Sequence, residues 1–137
     1  MGNRRFSRYL SVPCLLVCVL PIGAVAQDDQ TFSVISSEGH SYTVTCNDNG
    51  FVLTSDYPTA RLIENGVKSF VIKGVETIFL GKSCDASSES FGAGSWGAAN
   101  GGFAIAFDRK RIAFPRQAPH CVVDGAMADV FAYDCPL

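Results

Sequence analysis

The segment of this chain that most resembles a chemical motif is GAGSWGAANGGF, from Gly92 to Phe103. Its first six residues fit G-x-G-x-x-G, the pattern in which a glycine turn leads into a helix whose amino end holds a pyrophosphate. Here the segment ends in Gly101-Gly102, which would break a helix, and no acidic residue stands about 20 positions downstream. We therefore expect a glycine-rich loop and no nucleotide cofactor.

Trp96 is the only tryptophan of the chain and lies in the middle of this segment. In one interpretation the ring packs into the core and the glycines allow the backbone a tight path around it. In the other, Trp96 and the nearby Asn100 are displayed as an anchor for a sugar ring or a protein partner. The sequence leaves both interpretations open, and the binding-site hypothesis adopts the displayed anchor.

Basic residues cluster in DRKRIAFPR, Asp108 to Arg116. The cluster consists of Arg109, Lys110, Arg111 and Arg116. A charged hairpin turn is often only solvated surface. As a functional feature, it would be a positive tip that attracts an acidic protein surface, an anionic glycan or a lipid head group. We take these four residues, with Trp96 and Asn100, as the predicted binding residues.

Arrangements for catalysis are poorly represented. A Ser–His–Asp triad would have to use His40 or His120, and the chain has no G-x-S-x-G motif. Asp85 and Glu89 are the carboxylates that a small glycan hydrolase would use. No C-x-x-C spacing favours a metal site. The expectation is a protein that is not an enzyme, with no catalytic residue and no metal.

Residues 1–26 have the layout of a secretory signal peptide, which predicts a secreted or periplasmic protein. Three arginines precede a mostly apolar run from Leu10 to Leu20, and a small-x-small motif ends at Ala26. The run is too short for a membrane span of about 20 residues. Cleavage would leave one domain, Gln27 to Leu137, of 111 residues. Its 8 basic and 13 acidic residues give a net charge of −5, which argues against nucleic acid as a partner.

Four cysteines remain after position 26, an even number that predicts two disulfides in an oxidising compartment. They are Cys46, Cys84, Cys121 and Cys135. Of the three possible pairings we favour the sequential one, Cys46–Cys84 and Cys121–Cys135, because each loop then closes with fewer strands to thread.

Alternating apolar residues and closely spaced turn signals predict an all-β fold, a small antiparallel barrel or sandwich of consecutive hairpins. Asn49-Gly50 and Asn65-Gly66 are expected at tight turns, and a hairpin is expected to turn at Asp108 to Lys110. An α+β fold is the alternative, since YPTARLIEN and GAMADVF each allow a turn or two of helix.

The layout is similar to that of the bacterial periplasmic inhibitors of c-type lysozyme, which are small β-barrels. The shared features are the leader, a Tyr-x-x-x-Cys strand from Tyr42 to Cys46, consecutive hairpins and late cysteines. The Ser-Gly-x-x-Tyr loop of that family is absent from this chain. Our function hypothesis is an exported binding module that is not an enzyme. The alternatives are an inhibitor of a hydrolase such as lysozyme, a small glycan hydrolase, and a purely structural envelope protein.

Overall fold

The computed structural model describes residues 31–123, 126–128 and 134–137, so the predicted signal peptide lies outside the described residues. The described residues form strands and turns without a helix, which confirms the all-β prediction over the α+β alternative. The strands are β1 (Phe32–Ile35), β2 (Ser41–Asn47), β3 (Gly50–Ser55), β4 (Thr59–Asn65), β5 (Lys68–Gly74), β6 (Thr77–Gly81), β7 (Asp85–Ser88), β8 (Gly92–Ala99), β9 (Gly102–Phe107), β10 (Arg111–Phe114), β11 (Cys121–Val123) and β12 (Ala126–Ala128).

Eight of these strands form one antiparallel sheet in the order β1-β2-β3-β6-β7-β8-β9-β10. Neighbours in the sheet are neighbours in sequence, except that β4 and β5 form a separate two-stranded ribbon inserted between β3 and β6. Consecutive hairpins need only short connections, which is why closely spaced turn signals were sufficient to predict this architecture.

The sheet curls into a nearly closed barrel, and the side chain of Gln117 helps to join its edges. Ser37 N donates a hydrogen bond of 2.8 Å to Ala113 O, from the end of β1 to β10. The side-chain amide of Gln117 forms two hydrogen bonds with the backbone of Ile35. Ile35 N donates to Oε1 at 2.8 Å, and Nε2 donates to Ile35 O at 2.8 Å. Closure of this kind removes the exposed edge that invites pairing with another chain.

The core lies inside the barrel and is built from alternate residues of each strand, as the period of two requires. Side chains from seven of the eight sheet strands supply its large members. These are Val34, Tyr42, Val44, Phe51, Leu53, Ile78, Leu80, Trp96, Phe103, Ile105, Phe107, Ile112 and Phe114. The expected hairpin from Phe103 to Phe114 is confirmed, with its connection at residues 108–110.

Two tight turns are displaced by one residue from their predicted places. Asn65 pairs with Lys68, so the ribbon turns at Gly66-Val67, and Gly66 has the positive φ of 61° that the first central position of a type II′ turn needs. Asn47 pairs with Gly50, so that turn is centred on residues 48–49. Residues 59–65 of YPTARLIEN form β4 instead of a helical turn, and GAMADVF lies outside the described residues except for Ala126–Ala128.

The sequential disulfide pairing is wrong. The bonds join Cys46 to Cys121 and Cys84 to Cys135. The hairpins leave Cys46 on β2 and Cys84 after β6, with β3 between those two strands. Each of these cysteines instead meets a partner from the segment after β10, which contains Cys121 and Cys135. Two disulfides indicate that the domain folds in an oxidising compartment.

Within the described ranges, no helix is long and apolar enough to cross a membrane.

Peptide mapping of the oxidised protein without reduction is expected to recover Cys46 linked to Cys121 and Cys84 linked to Cys135. Changing Cys46 and Cys121 together to Ala is expected to lower the free energy of unfolding by about 4 kcal/mol, because the bond closes a loop of 75 residues. Peptides that link Cys46 to Cys84 would contradict this connectivity.

Candidate functional site

The turns of the barrel fall into two groups at opposite ends. One group holds residues 36–40, the β4–β5 ribbon, residues 89–91 and residues 108–110, and we call it the ribbon end. The other holds residues 48–49, 82–84 and 100–101, and we call it the disulfide end because Cys84 lies there. Lys82 N donates to Asn49 O at 3.0 Å, which ties two turns of the disulfide end together.

Trp96 belongs to the core and not to a contact surface. Trp96 is 1% exposed, and its indole Nε1 donates a hydrogen bond to Gly81 O at 2.8 Å. Its ring meets those of Phe51 and Phe103 edge to face, with centroids 5.7 and 6.4 Å apart. The displayed-anchor interpretation is therefore wrong, because a ring enclosed on all sides has no area to offer a partner.

The glycine segment forms strand β8 and not a loop. Its small residues allow another piece of chain to lie close beside it, since a Cβ added at Gly97 would overlap the carbonyl of Cys135 and Ala98 bridges to Pro136 in parallel. Ala98 N donates to that carbonyl at 2.7 Å. The turn to β9 is made by Asn100 and Gly101, whose φ angles of 50° and 75° are those of a type I′ turn.

The predicted binding residues are divided between the two ends. Arg109 and Lys110 lie at the ribbon end, where Arg111 begins β10. Asn100 lies at the disulfide end, where Arg116 stands two residues after the end of β10. The length of the barrel separates the two groups, so these residues do not form one local cluster.

The basic hairpin tip is largely neutralised by local acids and carbonyls. Lys110 forms an ion pair with Glu38 in the turn after β1. Arg109 donates from Nη1 to Glu64 O at 2.7 Å, and its Nε lies 3.5 Å from Asp108 Oδ2. The hydrogen bond to Glu64 fixes the β9–β10 turn against the ribbon.

A buried ionic network at the ribbon end was not predicted from the sequence. The side chains of Arg61 and Glu76 are only 7% and 2% exposed. Arg61 donates from Nε to Glu76 Oε1 at 3.1 Å and from Nη2 to Glu76 Oε2 at 2.8 Å. Two parallel bonds of this kind are the strongest geometry for an arginine and a carboxylate.

Two more side chains complete this network. Tyr42 donates its hydroxyl to Glu76 at 2.5 Å and accepts from Arg61 Nη2 at 2.9 Å. Arg61 Nη1 donates to Glu38 at 2.6 Å. Burial alone would lower the pKa of Arg61, but its bonds to Glu76 and Glu38 outweigh burial and raise that pKa. Burial and the bond to Glu76 both raise the pKa of Tyr42, so the phenol stays protonated.

One signal for this network was present in the sequence. Thr59, Arg61 and Ile63 share one face of β4, and this is the face that turns toward the barrel. Reading YPTARLIEN as a helical turn removed that alternation, so Arg61 went unnoticed. The burial of its charge depends on Glu76, which lies between β5 and β6 in sequence.

A groove of about 560 Å³ lies beside the network, between the ribbon and the barrel. Its apolar part is formed by Ile63, Phe70, Phe91 and Phe107, and its rim carries Asp108, Arg109 and Lys110. The rings of Phe91 and Phe107 lie 5.2 Å apart, and the Arg61 guanidinium lies 5.4 Å from the Phe91 centroid. An apolar groove with a few polar groups at its edge has the character of a binding site.

The residues proposed for hydrolysis are not brought together. Asp85 begins β7 and Glu89 follows its last residue, so about 13 Å of extended strand separates them. That exceeds the 5–9.5 Å or so between the carboxyls of glycosidases. His40 precedes β2 at the ribbon end, whereas the His120 ring packs on Phe32, at the other end of β1.

No protein-family model matches this chain, and comparisons with characterised proteins and with solved structures likewise found no match.

Acid is expected to destabilise the ribbon end through Glu38. Partial burial would raise its pKa, but hydrogen bonds from Lys110 and Arg61 outweigh burial and hold it below the ordinary 4.5. The folded state therefore favours the carboxylate, and this stabilisation is present above pH 4.5 and is lost as the pH falls through the lowered pKa.

We expect Glu38→Gln to be less stable than wild type at neutral pH, and the difference to shrink on acidification. Free energies of unfolding from urea titrations between neutral and acid pH measure it. Glu64→Gln, at an exposed carboxylate of the ribbon, is the matched control and should keep the wild-type pH profile. A Glu38→Gln profile parallel to that of wild type would contradict the role of Glu38.

Proposed function

We propose that this protein is an exported binding domain, not an enzyme, and that the groove at the ribbon end holds an apolar segment of a protein partner. The observation that carries the proposal is the aromatic floor of the groove. Phe70 is 49% exposed on the ribbon, and it faces Phe91 and Phe107 across the groove. Aromatic side chains in such a position supply much of the binding energy at protein contacts.

The groove is supported from beneath, which favours binding. Arg61 lies against Phe91 and is itself held by Glu76 and Glu38. Arg109 ties the β9–β10 turn to the ribbon at Glu64 O. A groove whose walls are already fixed loses little conformational entropy when a partner binds.

The charges at the rim favour a protein segment over an anionic glycan or a lipid head group. Lys110 is engaged with Glu38, and Arg109 stands beside the 90% exposed side chain of Asp108. Such a rim has little net positive charge with which to attract an anion. Of the six predicted binding residues, the proposed contact surface keeps Arg109 and Lys110, which line the groove, and omits Trp96, Asn100, Arg111 and Arg116.

Export is supported by two independent features. The first 26 residues have the layout of a cleavable leader, and the domain contains two disulfides. We therefore propose a secreted or periplasmic location.

A hydrolase inhibitor is the second candidate, favoured by two hairpin tips that are joined. Val67, at the turn of the ribbon, is 96% exposed, and Arg109 links the neighbouring β9–β10 turn to the ribbon. A projecting pair of tips is a shape that fits an enzyme cleft, which is how a protein can block a hydrolase without chemistry of its own.

Selection of peptides from a displayed library against oxidised residues 27–137 tests the groove. We expect apolar, aromatic-containing peptides, and Phe70→Ala should weaken the binding of a selected peptide about 30-fold, the effect of losing an aromatic anchor of about 2 kcal/mol. Asn100→Ala, at the opposite end, is the control and should leave affinity unchanged.

Equal binding by wild type and Phe70→Ala would overturn the groove as the contact surface. Stoichiometric inhibition of lysozyme, retained in Phe70→Ala and lost in Val67→Asp, would favour the inhibitor over the groove-binding domain.

A further inference from the structure

The ribbon exposes more apolar surface than any other part of the described chain. Of the nine large hydrophobic side chains that are exposed there, six lie between Tyr57 and Val75. Phe70 belongs to the groove face. The others include Leu62 and Val71, which are 61% and 52% exposed. Apolar side chains gathered in this way usually mark a contact surface.

Leu62 and Val71 project from the outer face of the ribbon, opposite the face that carries Phe70, although Leu62 and Glu64 also border the groove. They are direct partners in the ladder between β4 and β5, so both side chains project from the same face. Arg61, adjacent to Leu62 in sequence, points to the opposite face and into the barrel. The outer face therefore points away from the face that carries Phe70, and it adjoins the groove only at Leu62 and Glu64.

Opposite charges flank this apolar pair along the outer face. Toward the tip of the ribbon, the next pair on the same face is Glu64 with Ser69, and toward its base the next pair is Ala60 with Lys73. Glu64 and Lys73 are both exposed, and neither side chain forms an ion pair with another described residue. From the tip of the ribbon to its base, the outer face therefore carries an acidic residue, then the apolar pair, then a basic residue.

We propose that the partner of this face is a second copy of the same chain, packed face to face with the tip of one ribbon over the base of the other. A twofold axis through the Leu62–Val71 pair places Leu62 against Leu62 and Val71 against Val71. It also brings each Glu64 onto the Ala60–Lys73 row of the other copy, where the small Ala60 leaves room for the Lys73 side chain. A surface that complements itself in this way is what a twofold interface requires.

The opposite orientation, tip over tip, is disfavoured by the same residues. It would place Glu64 over Ser69 and Lys73 over Ala60, so neither charge would meet its opposite. The ends of the ribbon agree with the tip-over-base arrangement. Val67 at the tip is 96% exposed and Val75 at the base is 60% exposed, and this arrangement brings the two apolar ends together.

The contact area is small. Each strand of the ribbon has seven residues, a length of about 23 Å. One face of two strands lies at the low end of specific interfaces, below roughly 800 Å² for each partner. The dimer is therefore a weak one, with a dissociation constant on the order of 10–100 μM.

Charge reversal tests the arrangement by sedimentation equilibrium of oxidised residues 27–137. Glu64→Lys and Lys73→Glu should each weaken the dimer at least about tenfold, because each places like charges together. The double variant E64K/K73E should recover wild-type affinity. An equal mixture of the two single variants should form heterodimers as tight as the wild-type dimer, because every charge then meets its opposite.

Lys68→Glu is the matched control, since it reverses the same charge on the groove face of the same strand and should leave the dimer intact. A wild-type protein that stays monomeric up to about 1 mM, well above that dissociation constant, would overturn the proposal. Failure of the double variant or of the mixture to recover affinity would also overturn it, as would equal loss in Lys68→Glu.

Discussion

The buried ion pair between Arg61 and Glu76 is the interaction on which the rest of the ribbon end depends. Burying two charges costs several kcal/mol for each ion, and only good geometry with additional hydrogen bonds offsets that cost. Here Arg61 meets Glu76 through two nitrogens, while Tyr42 and Glu38 satisfy further bonding positions. In the described structure every buried side-chain nitrogen and oxygen has a partner. The pair, together with Tyr42, thereby ties β4 of the ribbon to β2 and to the residue before β6.

The two ends of the barrel are closed by different chemistry. At the disulfide end residues 134–137 lie beside β8, held by Cys84–Cys135 and by the hydrogen bond from Ala98 N to Cys135 O. Cys46–Cys121 joins the same late chain to β2, and Cys121 is only 1% exposed. A covalent closure withstands acid, whereas the ionic closure depends on charged carboxylates. The surfaces proposed for binding all lie at the ionic end, so their shape depends on the same charges.

The sequence predicted those features that follow from local pattern. Alternating apolar residues and closely spaced turns were enough for an all-β barrel of hairpins, and for the hairpin from Phe103 to Phe114. The turn register at Gly66 was wrong by one residue because Asn-Gly marks a turn without fixing which residues are central. GAGSWGAANGGF predicts a loop because glycine and alanine are depleted in strands. Gly97 accommodates the close approach of the Cys135 carbonyl, a contact between distant segments that a local pattern does not record.

Contacts between segments that are distant in sequence could not be predicted from local sequence patterns. The disulfide pairing depends on the path of the chain after β10, and the burial of Trp96 depends on Phe51 and Phe103 from other strands. The predicted binding residues were chosen by type and closeness in sequence. The order of the hairpins sends Asn100 and Arg109 to opposite ends, because the single strand β9 separates their turns.

A double-mutant cycle on Arg61 and Glu76 tests the central claim most directly, with free energies of unfolding measured for wild type, Arg61→Met, Glu76→Met and the double variant. Each single change leaves a buried charge without its partner and should cost about 3–5 kcal/mol. The double variant removes both charges, so it should cost less than the sum of the singles by at least about 2 kcal/mol. Additive losses, within about 0.5 kcal/mol, would mean that the two residues act independently and that this pair does not hold the ribbon to the barrel.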